Sequence, residues 1–176
     1  MSRVPYIGGP LTDLPVEIQS EIKAFYSQLG EVFFGVMGQR AFVPHEHCDP
    51  IAMGHLTPPE VDAIERPQIC ERTSLFVAVD LFPSTGMGIE VEMAYRSGVP
   101  IVILANEGKR ISRLFNGNPG IADVLRYTSY SDAICKLRSW ALAHRILRQP
   151  LRGFDFADEA ADGQPLLVGF DPPDAL

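Results

Sequence analysis

Hydrophobic and polar positions follow two alternating patterns from residue 4 to residue 148. Short, largely apolar runs rich in Val, Ile and Leu predict β-strands, and longer stretches with apolar residues three or four positions apart predict helices. The predicted strands are 4–7, 41–44, 75–81, 101–104 and 124–127. The predicted helices are 15–36, a segment that begins at Thr57, 90–97, 110–115 and 131–147. Each strand is followed by a helix, which is the order of an α/β protein.

This alternation predicts a flavodoxin-like, doubly wound α/β fold in a single domain over residues 1–148. The expected architecture is a parallel sheet of about five strands with helices on both faces. The runs 75–81 and 101–104 are almost entirely apolar, which is typical of central strands that are covered on both sides.

A few residues mark where the helices begin or are interrupted. Asp13 is expected to cap the first helix, and Thr57, with a glutamate three residues later, has the pattern of a capping box. Gly30 and Gly35 predict a kink or break in the first helix. Pro67 predicts that the helix beginning at Thr57 is interrupted or restarted there.

Composition and charge narrow the classes of partner. The 176 residues carry a net charge of −7, from 22 acidic and 15 basic side chains. This balance argues against a nucleic-acid polymer or an anionic membrane as partner, because both require basic patches. A single nucleotide is still compatible, since backbone N–H groups can hold one phosphate. Six of the acidic residues fall within 149–176, which we expect to be an acidic, mobile tail containing Pro and Gly.

The chain has the features of a cytoplasmic protein. No apolar run reaches the length needed to span a bilayer, and the first residues lack the apolar segment of a secretory signal. The cysteines Cys48, Cys70 and Cys135 are scattered and odd in number, so we expect reduced thiols rather than a disulfide framework.

In a parallel α/β sheet, ligands bind beyond the carboxyl ends of the strands. The loop that follows strand 75–81 is the most informative of these ends. Ser84, Gly86 and Gly88 precede a predicted helix, where small residues and a helix N-terminus allow backbone N–H groups to hold an anion. Glu90 and Glu92 then fall in its first turn, either directed into the cleft or complementing the helix dipole. Two positions apart, they cannot share a face of the helix.

Other strand ends carry side chains with more than one interpretation. Tyr6 can stack on a base or pack in the core, and His45 can contact base or sugar or form a partly buried hydrogen bond. Asn116 can reach the pocket of a neighbouring subunit or lie in a solvated turn. A cluster of His and Cys between residues 45 and 55 lacks the spacings of known zinc sites, so we predict no metal and no cofactor.

Several of these segments together resemble the nucleoside 2-deoxyribosyltransferase family, which includes nucleotide N-glycosidases that act on nucleoside 5′-monophosphates. The matching segments are Tyr6-Ile-Gly-Gly-Pro10, Phe42-Val-Pro-His45, Ser84-Thr-Gly-Met-Gly-Ile-Glu90-Val-Glu-Met-Ala94 and Gly98-Val-Pro-Ile-Val-Ile-Leu104. The resemblance extends over about residues 4–145. It implies cleavage of the N-glycosidic bond of a nucleoside or nucleoside 5′-monophosphate, followed by hydrolysis or by transfer to another base.

The resemblance also implies roles for individual residues. Glu90 matches the nucleophile that forms a glycosyl-enzyme ester, and Ser84 and Gly86 match the loop that holds a 5′-phosphate. Gly8 and Gly9 match a turn that lines the same pocket, which a second subunit often completes, so a homodimer or larger homo-oligomer is expected.

The chain departs from the family pattern where the leaving base is protonated. At the position where we aligned a family Asp, before the strand at 75–81, this chain has Ser74. Asp80, late on the strand, is an acid that can substitute for it. An Asp that the family has on the preceding helix is replaced here by Arg66, and Glu65 or Asp62 can shift into its role. The loss of the Asp leaves a second hypothesis open, a non-catalytic domain that binds or senses a nucleotide. A third hypothesis is a partner-binding domain that uses the acidic tail as its contact arm.

Overall fold

A computed structural model describes residues 3–12 and 14–144 of the chain. The strands in this part are β1 (Val4–Gly8), β2 (Thr73–Asp80), β3 (Ile101–Asn106) and β4 (Ile121–Tyr127). The helices are α1 (Val16–Met37), α2 (His45–Cys48), α3 (Pro58–Arg72), α4 (Thr85–Arg96), α5 (Arg113–Asn116) and α6 (Tyr130–His144). The alternation predicted from the sequence is therefore confirmed over these residues. Asp13, the end of the last predicted helix and the tail at 149–176 lie outside them.

The sheet contains four parallel strands in the order β1-β2-β3-β4, rather than about five. The segment 41–44, predicted as a strand, is reduced to one parallel bridge between Phe42 and Tyr6. The chain cannot extend this pairing in either direction. Ala41 N–H donates to Gly30 O of α1, and Pro44 already has helical φ and ψ. With Phe42 beside β1, the spatial order is nevertheless that of a flavodoxin-like sheet.

Helices cover both faces of the sheet, as expected for a doubly wound fold. One core cluster lies between the sheet and helices α1 and α6. A second cluster lies on the opposite face, beneath α3 and α4. β2 and β3 are buried almost throughout because they are the two central strands. This arrangement leaves the carboxyl ends of β1 and β2 side by side, next to the start of α4.

Two predicted interruptions of helices are wrong. α1 is one continuous helix across Gly30 and Gly35. At Gly30 the absence of a side chain permits close packing, since a Cβ there would lie only 2.9 Å from Val43 Cγ2. α3 continues through Pro67 to Arg72. In the described part of the chain, no helix is both long and apolar enough to cross a membrane.

The predicted start of α3 is confirmed. Thr57 is its N-cap, and the backbone N–H of Thr57 donates to Glu60 Oε2 at 2.8 Å. This capping box fixes the first turn of α3, and the helix then carries Glu65 towards the carboxyl edge of β1.

Candidate active site

The segment predicted as a Gly-rich loop is largely the first turn of a helix. α4 begins at Thr85, and its N-cap Ser84 accepts a hydrogen bond from Met87 N–H at 3.2 Å. Glu90 therefore lies in the second turn of α4 instead of the first, and the first turn contains no acidic residue. The dipole interpretation of Glu90 is thus not supported, because that effect decays within one turn.

The carboxyl group of Glu90 is partly buried and is held by a tyrosine of the sheet. Tyr6 Oη donates a hydrogen bond to Glu90 Oε1 at 2.8 Å. The Tyr6 ring is completely buried between Phe42 and Phe76, with ring centroids 5.3 Å and 5.0 Å away and nearly parallel planes. Because both of its faces are covered, the Tyr6 ring packs in the core and cannot stack on a base, which decides between the two interpretations given to it. Its hydroxyl group, rather than its ring face, is what reaches the site.

The turn after β1 must be free of side chains for Glu90 to occupy its position. A Cβ on Gly8 would collide with the Phe76 ring and lie 3.0 Å from Glu90 Oε2. A Cβ on Gly9 would lie 2.5 Å from Tyr26 Oη. Gly8 therefore allows the chain to pass directly beside the Glu90 carboxylate, and Gly9 allows it to pass beside Tyr26.

A second carboxyl group, that of Glu65 on α3, is close enough to Glu90 for its charge to raise the pKa of Glu90. Glu65 is partly buried, and its Oε1 lies 3.1 Å from the sulfur of Cys48. Burial raises the pKa of Glu65, the Cys48 thiol lowers it, and Asp62 on the same helix raises it. Burial and the charge of Glu65 raise the pKa of Glu90 to about 8, against the opposing hydrogen bond from Tyr6.

These two carboxyl groups have the properties of a pair that shares a proton. Both pKa values are raised, and the charge of Glu65 disfavours ionisation of Glu90. Near neutral pH the pair retains one proton, so one carboxylate and one carboxylic acid are present together. Such a pair can supply a nucleophile and a proton donor to the same ligand.

We predict that Tyr6→Phe raises the pKa of Glu90 further, by about one pH unit, since the lost hydrogen bond favours the ionised form. A ¹³C NMR titration of labelled glutamate side chains measures this change. Tyr130→Phe is the matched control because Tyr130 packs on the opposite face of the sheet. An unchanged Glu90 titration in Tyr6→Phe would contradict the assigned contact.

His45 is held in a defined tautomer beside the turn after β1. Ser27 Oγ donates its single hydrogen to Glu46 Oε1 at 2.7 Å, so its contact of 3.2 Å with His45 Nε2 requires that Nε2 carry a hydrogen. Arg40 binds the same Glu46 carboxylate and lowers its pKa, which keeps it an acceptor. Burial lowers the pKa of His45. The neutral ring then presents an unprotonated Nδ1, which is buried and has no partner among the described residues.

A cavity of about 1000 Å³ opens at the start of α4. It is lined by Ser84, Gly86 and Gly88, and by Pro10 from the turn after β1. The N–H groups of the first helical turn have no acceptor within the helix except the cap, so this end of the cavity can accept an anion. Glu90 is not among the residues that line this cavity; its Oε2 lies beside Gly8.

Asp80 lies at the carboxyl end of β2 and forms part of the cavity wall. It is only 5% exposed, and its Oδ1 forms an ion pair with Lys109 Nζ. Asp80 is therefore paired with a lysine. The carboxyl group whose charge affects the pKa of Glu90 is that of Glu65. Asp80 is the weaker of the candidate acids on this geometry.

Two further sequence candidates lie away from Glu90. Asn116 is exposed on α5, and Asn118 lines the cavity in its place, with its Nδ2 3.4 Å from Glu92 Oε2. Glu92 forms an ion pair with Arg96 on α4. Glu90 and Glu92 thus have different partners, as their spacing on the helix predicted.

Ser74 does not lie where a leaving base would be protonated, contrary to the expectation from the family pattern. Ser74 is the second residue of β2, at the amino end of a strand whose carboxyl end is Asp80. At about 3.3 Å per residue the two positions are roughly 20 Å apart. Ser74 is therefore on the wrong edge of the sheet to face a leaving base, and its identity carries no information about the site.

Within residues 3–12 and 14–144, no group of three or more His, Cys, Asp or Glu side chains is arranged to hold a metal ion. The His and Cys cluster after residue 44 is divided among several contacts. His45 contacts Ser27, His47 stacks on Phe42, and Cys48 contacts Glu65.

Comparison with known proteins supports the fold. No family model matches the chain, and no curated protein sequence matches it. Among solved structures, BlsM has a TM-score of 0.61 at 20% identity, covering 86% of this chain and 98% of that chain. The Clostridium botulinum CMP N-glycosidase BcmB has a TM-score of 0.55 at 17% identity, covering 79% and 99%. A conserved protein from Enterococcus faecalis V583 has a TM-score of 0.53 at 15% identity, covering 80% of this chain and 99% of that chain.

The chain has the fold of these proteins. At such identities the likeness extends to the fold alone, and it agrees with the resemblance found in the sequence. The similar regions span nearly the whole of each matched chain.

Sequence reasoning gave Glu65 and Cys48 too little weight. Glu65 lies four residues before Ile69, which is fully buried, so both belong to one face of α3. That spacing would have directed Glu65 towards the sheet if α3 had been predicted to continue through Pro67. No local signal links Cys48 to Glu65, since they are 17 residues apart and on different helices.

Proposed function

We propose that this protein cleaves the N-glycosidic bond of a nucleoside 5′-monophosphate, with Glu90 as the nucleophile. The observation that carries the proposal is the pair of partly buried carboxyl groups, Glu90 and Glu65, at the carboxyl edge of β1. The fold shared with a CMP N-glycosidase supports it. The substrate is a small molecule, and the chain's own side chains supply the catalytic groups.

The placement of a nucleotide follows from the geometry of α4. Its 5′-phosphate would bind at Ser84 and the N–H groups of Thr85 and Gly86, where no acidic side chain of the first turn opposes it. Glu90 lies six residues after Ser84, about 9 Å along the helix axis, and a ribose phosphate can bridge that distance. The sugar would cross the turn at Gly8, and the base would lie towards α2 and α3.

The reaction would proceed in two steps, as in retaining glycosidases. Tyr6 binds Oε1 of Glu90, so Oε2, beside Gly8, is the oxygen that attacks C1′ of the sugar. The bond from C1′ to the base nitrogen breaks, its electron pair stays on the base, and the proton of Glu65 passes to the base.

In the second step, the Glu65 carboxylate takes a proton from water while the water oxygen attacks C1′. The ester bond from C1′ to Glu90 breaks, and its electron pair returns to the carboxylate. In the first step, positive charge develops on the sugar and favours the ionised form of Glu90, which is the nearer carboxyl group. The proton that the pair retains is then on Glu65. When a second base enters in place of water, the same intermediate gives transfer.

The deciding experiment incubates the purified chain with a panel of nucleosides and nucleoside 5′-monophosphates and measures free base by chromatography. Parallel samples contain an acceptor base, so that hydrolysis and transfer are distinguished. We expect base release from at least one monophosphate. Calorimetric binding of a nucleotide without any base release over long incubation would contradict the proposal and favour a non-catalytic binding domain.

A phosphate bound at the start of α4 predicts a specific effect of Ser84→Asp. Aspartate is as good an N-cap as serine, so the helix start is kept while a negative charge is added beside the phosphate. We expect kcat/KM for the monophosphate, relative to the unphosphorylated nucleoside, to fall about 100-fold. Ser84→Asn is the matched control because it also caps the helix but is neutral. An unchanged preference in Ser84→Asp would place the phosphate elsewhere.

A further inference from the structure

A buried thiol lies against the proposed proton donor. Cys48, the last residue of α2, is 6% exposed. Its Sγ lies 3.1 Å from Glu65 Oε1 and 3.3 Å from Pro44 O. Burial and the nearby Glu65 raise the pKa of the Cys48 thiol, so it remains protonated and is not a nucleophile.

The number of hydrogens limits how these two contacts can be satisfied. A thiol has one hydrogen to donate, and its sulfur can also accept a weak hydrogen bond. When Glu65 is ionised, the thiol donates to Oε1. When Glu65 is protonated, its hydroxyl can donate to Sγ while the thiol hydrogen turns to Pro44 O. A rotation of the S–H bond is sufficient for this exchange, and no heavy atom has to move.

We propose that Cys48 is a positioning residue that holds the Glu65 carboxyl group in one place before and after it transfers its proton. The inference rests on the proposed function, since it assumes that Glu65 is the proton donor. Aliphatic side chains at position 48 would hold the carboxyl group in neither state. A hydroxyl group, which also donates and accepts, would preserve the arrangement.

The groups around Glu65 define what else can influence its titration. Glu90 faces it from α4 and Asp62 lies one turn earlier on α3. Tyr6 of β1 is close enough for the charge of Glu65 to raise its pKa. Each of these contacts is retained when only the side chain at position 48 is changed, so a change in the Glu65 titration reports on Cys48.

The test compares Cys48→Ala and Cys48→Ser in the full chain. We expect Cys48→Ala to raise the pKa of Glu65 by about one pH unit, because a donor to the ionised form is lost. Its kcat should fall about tenfold, with little change in KM, as expected for one hydrogen bond to a charged group. Cys48→Ser should stay within about threefold of the wild type in kcat. Cys135→Ala, at an exposed position of α6, is the control and should change neither the pKa of Glu65 nor kcat.

The pKa of Glu65 is measured by ¹³C NMR of labelled glutamate, with the signal assigned by its absence in Glu65→Gln. This measurement does not depend on activity, so it tests the role of Cys48 even if the wild type releases no base. Absence of base release would refute the proposed function and not the role of Cys48. If Cys48→Ala does not fold, Cys48→Val provides the same loss of hydrogen bonding at nearly the original volume. An unchanged Glu65 titration without the thiol, or a serine variant as impaired as the alanine variant, would overturn the proposal.

Discussion

Glu90→Gln is expected to lower base release by about 10⁴-fold, the largest effect of any single substitution in this site. Glutamine has the shape of glutamate and can still accept the hydrogen bond from Tyr6, but its amide oxygen is a poor nucleophile. Single-turnover assays with chromatographic detection of the base measure the loss. A 2-fluoro-sugar nucleotide, which slows the second step, should add the mass of the sugar phosphate to the wild type and not to the variant.

Glu92→Gln is the matched control for this experiment. It lies two residues further along α4 and is paired with Arg96 instead of facing the second carboxyl group, so its activity should stay close to that of the wild type. A Glu90→Gln variant that kept a tenth or more of the activity would refute the nucleophile assignment.

The stability of Glu90→Gln as a function of pH shows whether this variant keeps the native fold. The pKa of Glu90 is raised from its ordinary value of 4.5 to about 8, so ionising it in the folded state costs free energy. This carboxyl group therefore reduces stability increasingly as the pH rises from 4.5 to 8. Urea unfolding should show Glu90→Gln to be more stable than the wild type by up to about 5 kcal/mol at pH 9, with the difference vanishing near pH 4.5.

Glu65→Gln is expected to have the second largest effect, about 10²–10³-fold on release of an ordinary base. The amide cannot donate the proton that the departing base requires. The defect should nearly disappear for a nucleotide of 7-methylguanine, which leaves as a neutral base without being protonated. Steady-state assays on the two substrates measure this contrast, and an equal loss on both would show that Glu65 acts in another way.

The pH profile provides an independent reading of the same role. With both carboxyl groups present, kcat/KM should be bell-shaped, and its alkaline limb should fall near pH 8, where the pair loses its last proton. In Glu65→Gln the alkaline limb should be absent, because no proton is left to donate. The acid limb should not move to lower pH, because in the wild type it reports the first ionisation of the pair, when the second carboxyl group is still protonated and neutral.

The sheet was predictable because its signals are local. The segments 75–79 in β2 and 101–105 in β3 are continuous apolar runs, so the burial of these strands follows from the sequence. The prediction of a strand at 41–44 failed because pairing there depends on contacts with distant parts of the chain. Ala41 is held by α1, and only Phe42 reaches β1.

The start of α4 was misplaced for a related reason. Gly86 and Gly88 have low helix propensity, and they indicate a loop when considered alone. Burial of Met87, Val91 and Ala94 against the sheet, three or four residues apart, outweighs that propensity once the tertiary structure forms. The cap at Ser84 then fixes the first turn.

The candidate site was predictable only in part. Glu90, Gly8 and Ser84 lie in segments whose resemblance to a known family could be recognised. The hydrogen bond between Tyr6 and Glu90 joins residues 84 positions apart, and no local pattern encodes it. Glu65 was given little weight because the expected break at Pro67 removed the reason to continue α3 and to place its face against the sheet.

The position of Tyr6 between Phe42 and Phe76 has a consequence for how this kind of protein can diverge. The Tyr6 ring belongs to the interior of the domain, so a substitution that changes its size or shape endangers folding itself. His45, on the side where we propose that the base lies, belongs to the short helix α2, which follows the single bridge between Phe42 and Tyr6. Substitutions at His45 and within 49–56 can therefore alter which molecule is accepted while the reaction chemistry is inherited unchanged, whereas Cys48 is tied to that chemistry by its contact with Glu65. Substrate recognition and catalysis thus depend on largely separate parts of the chain. Substrate preference can change in evolution while packing around Tyr6 preserves the reaction.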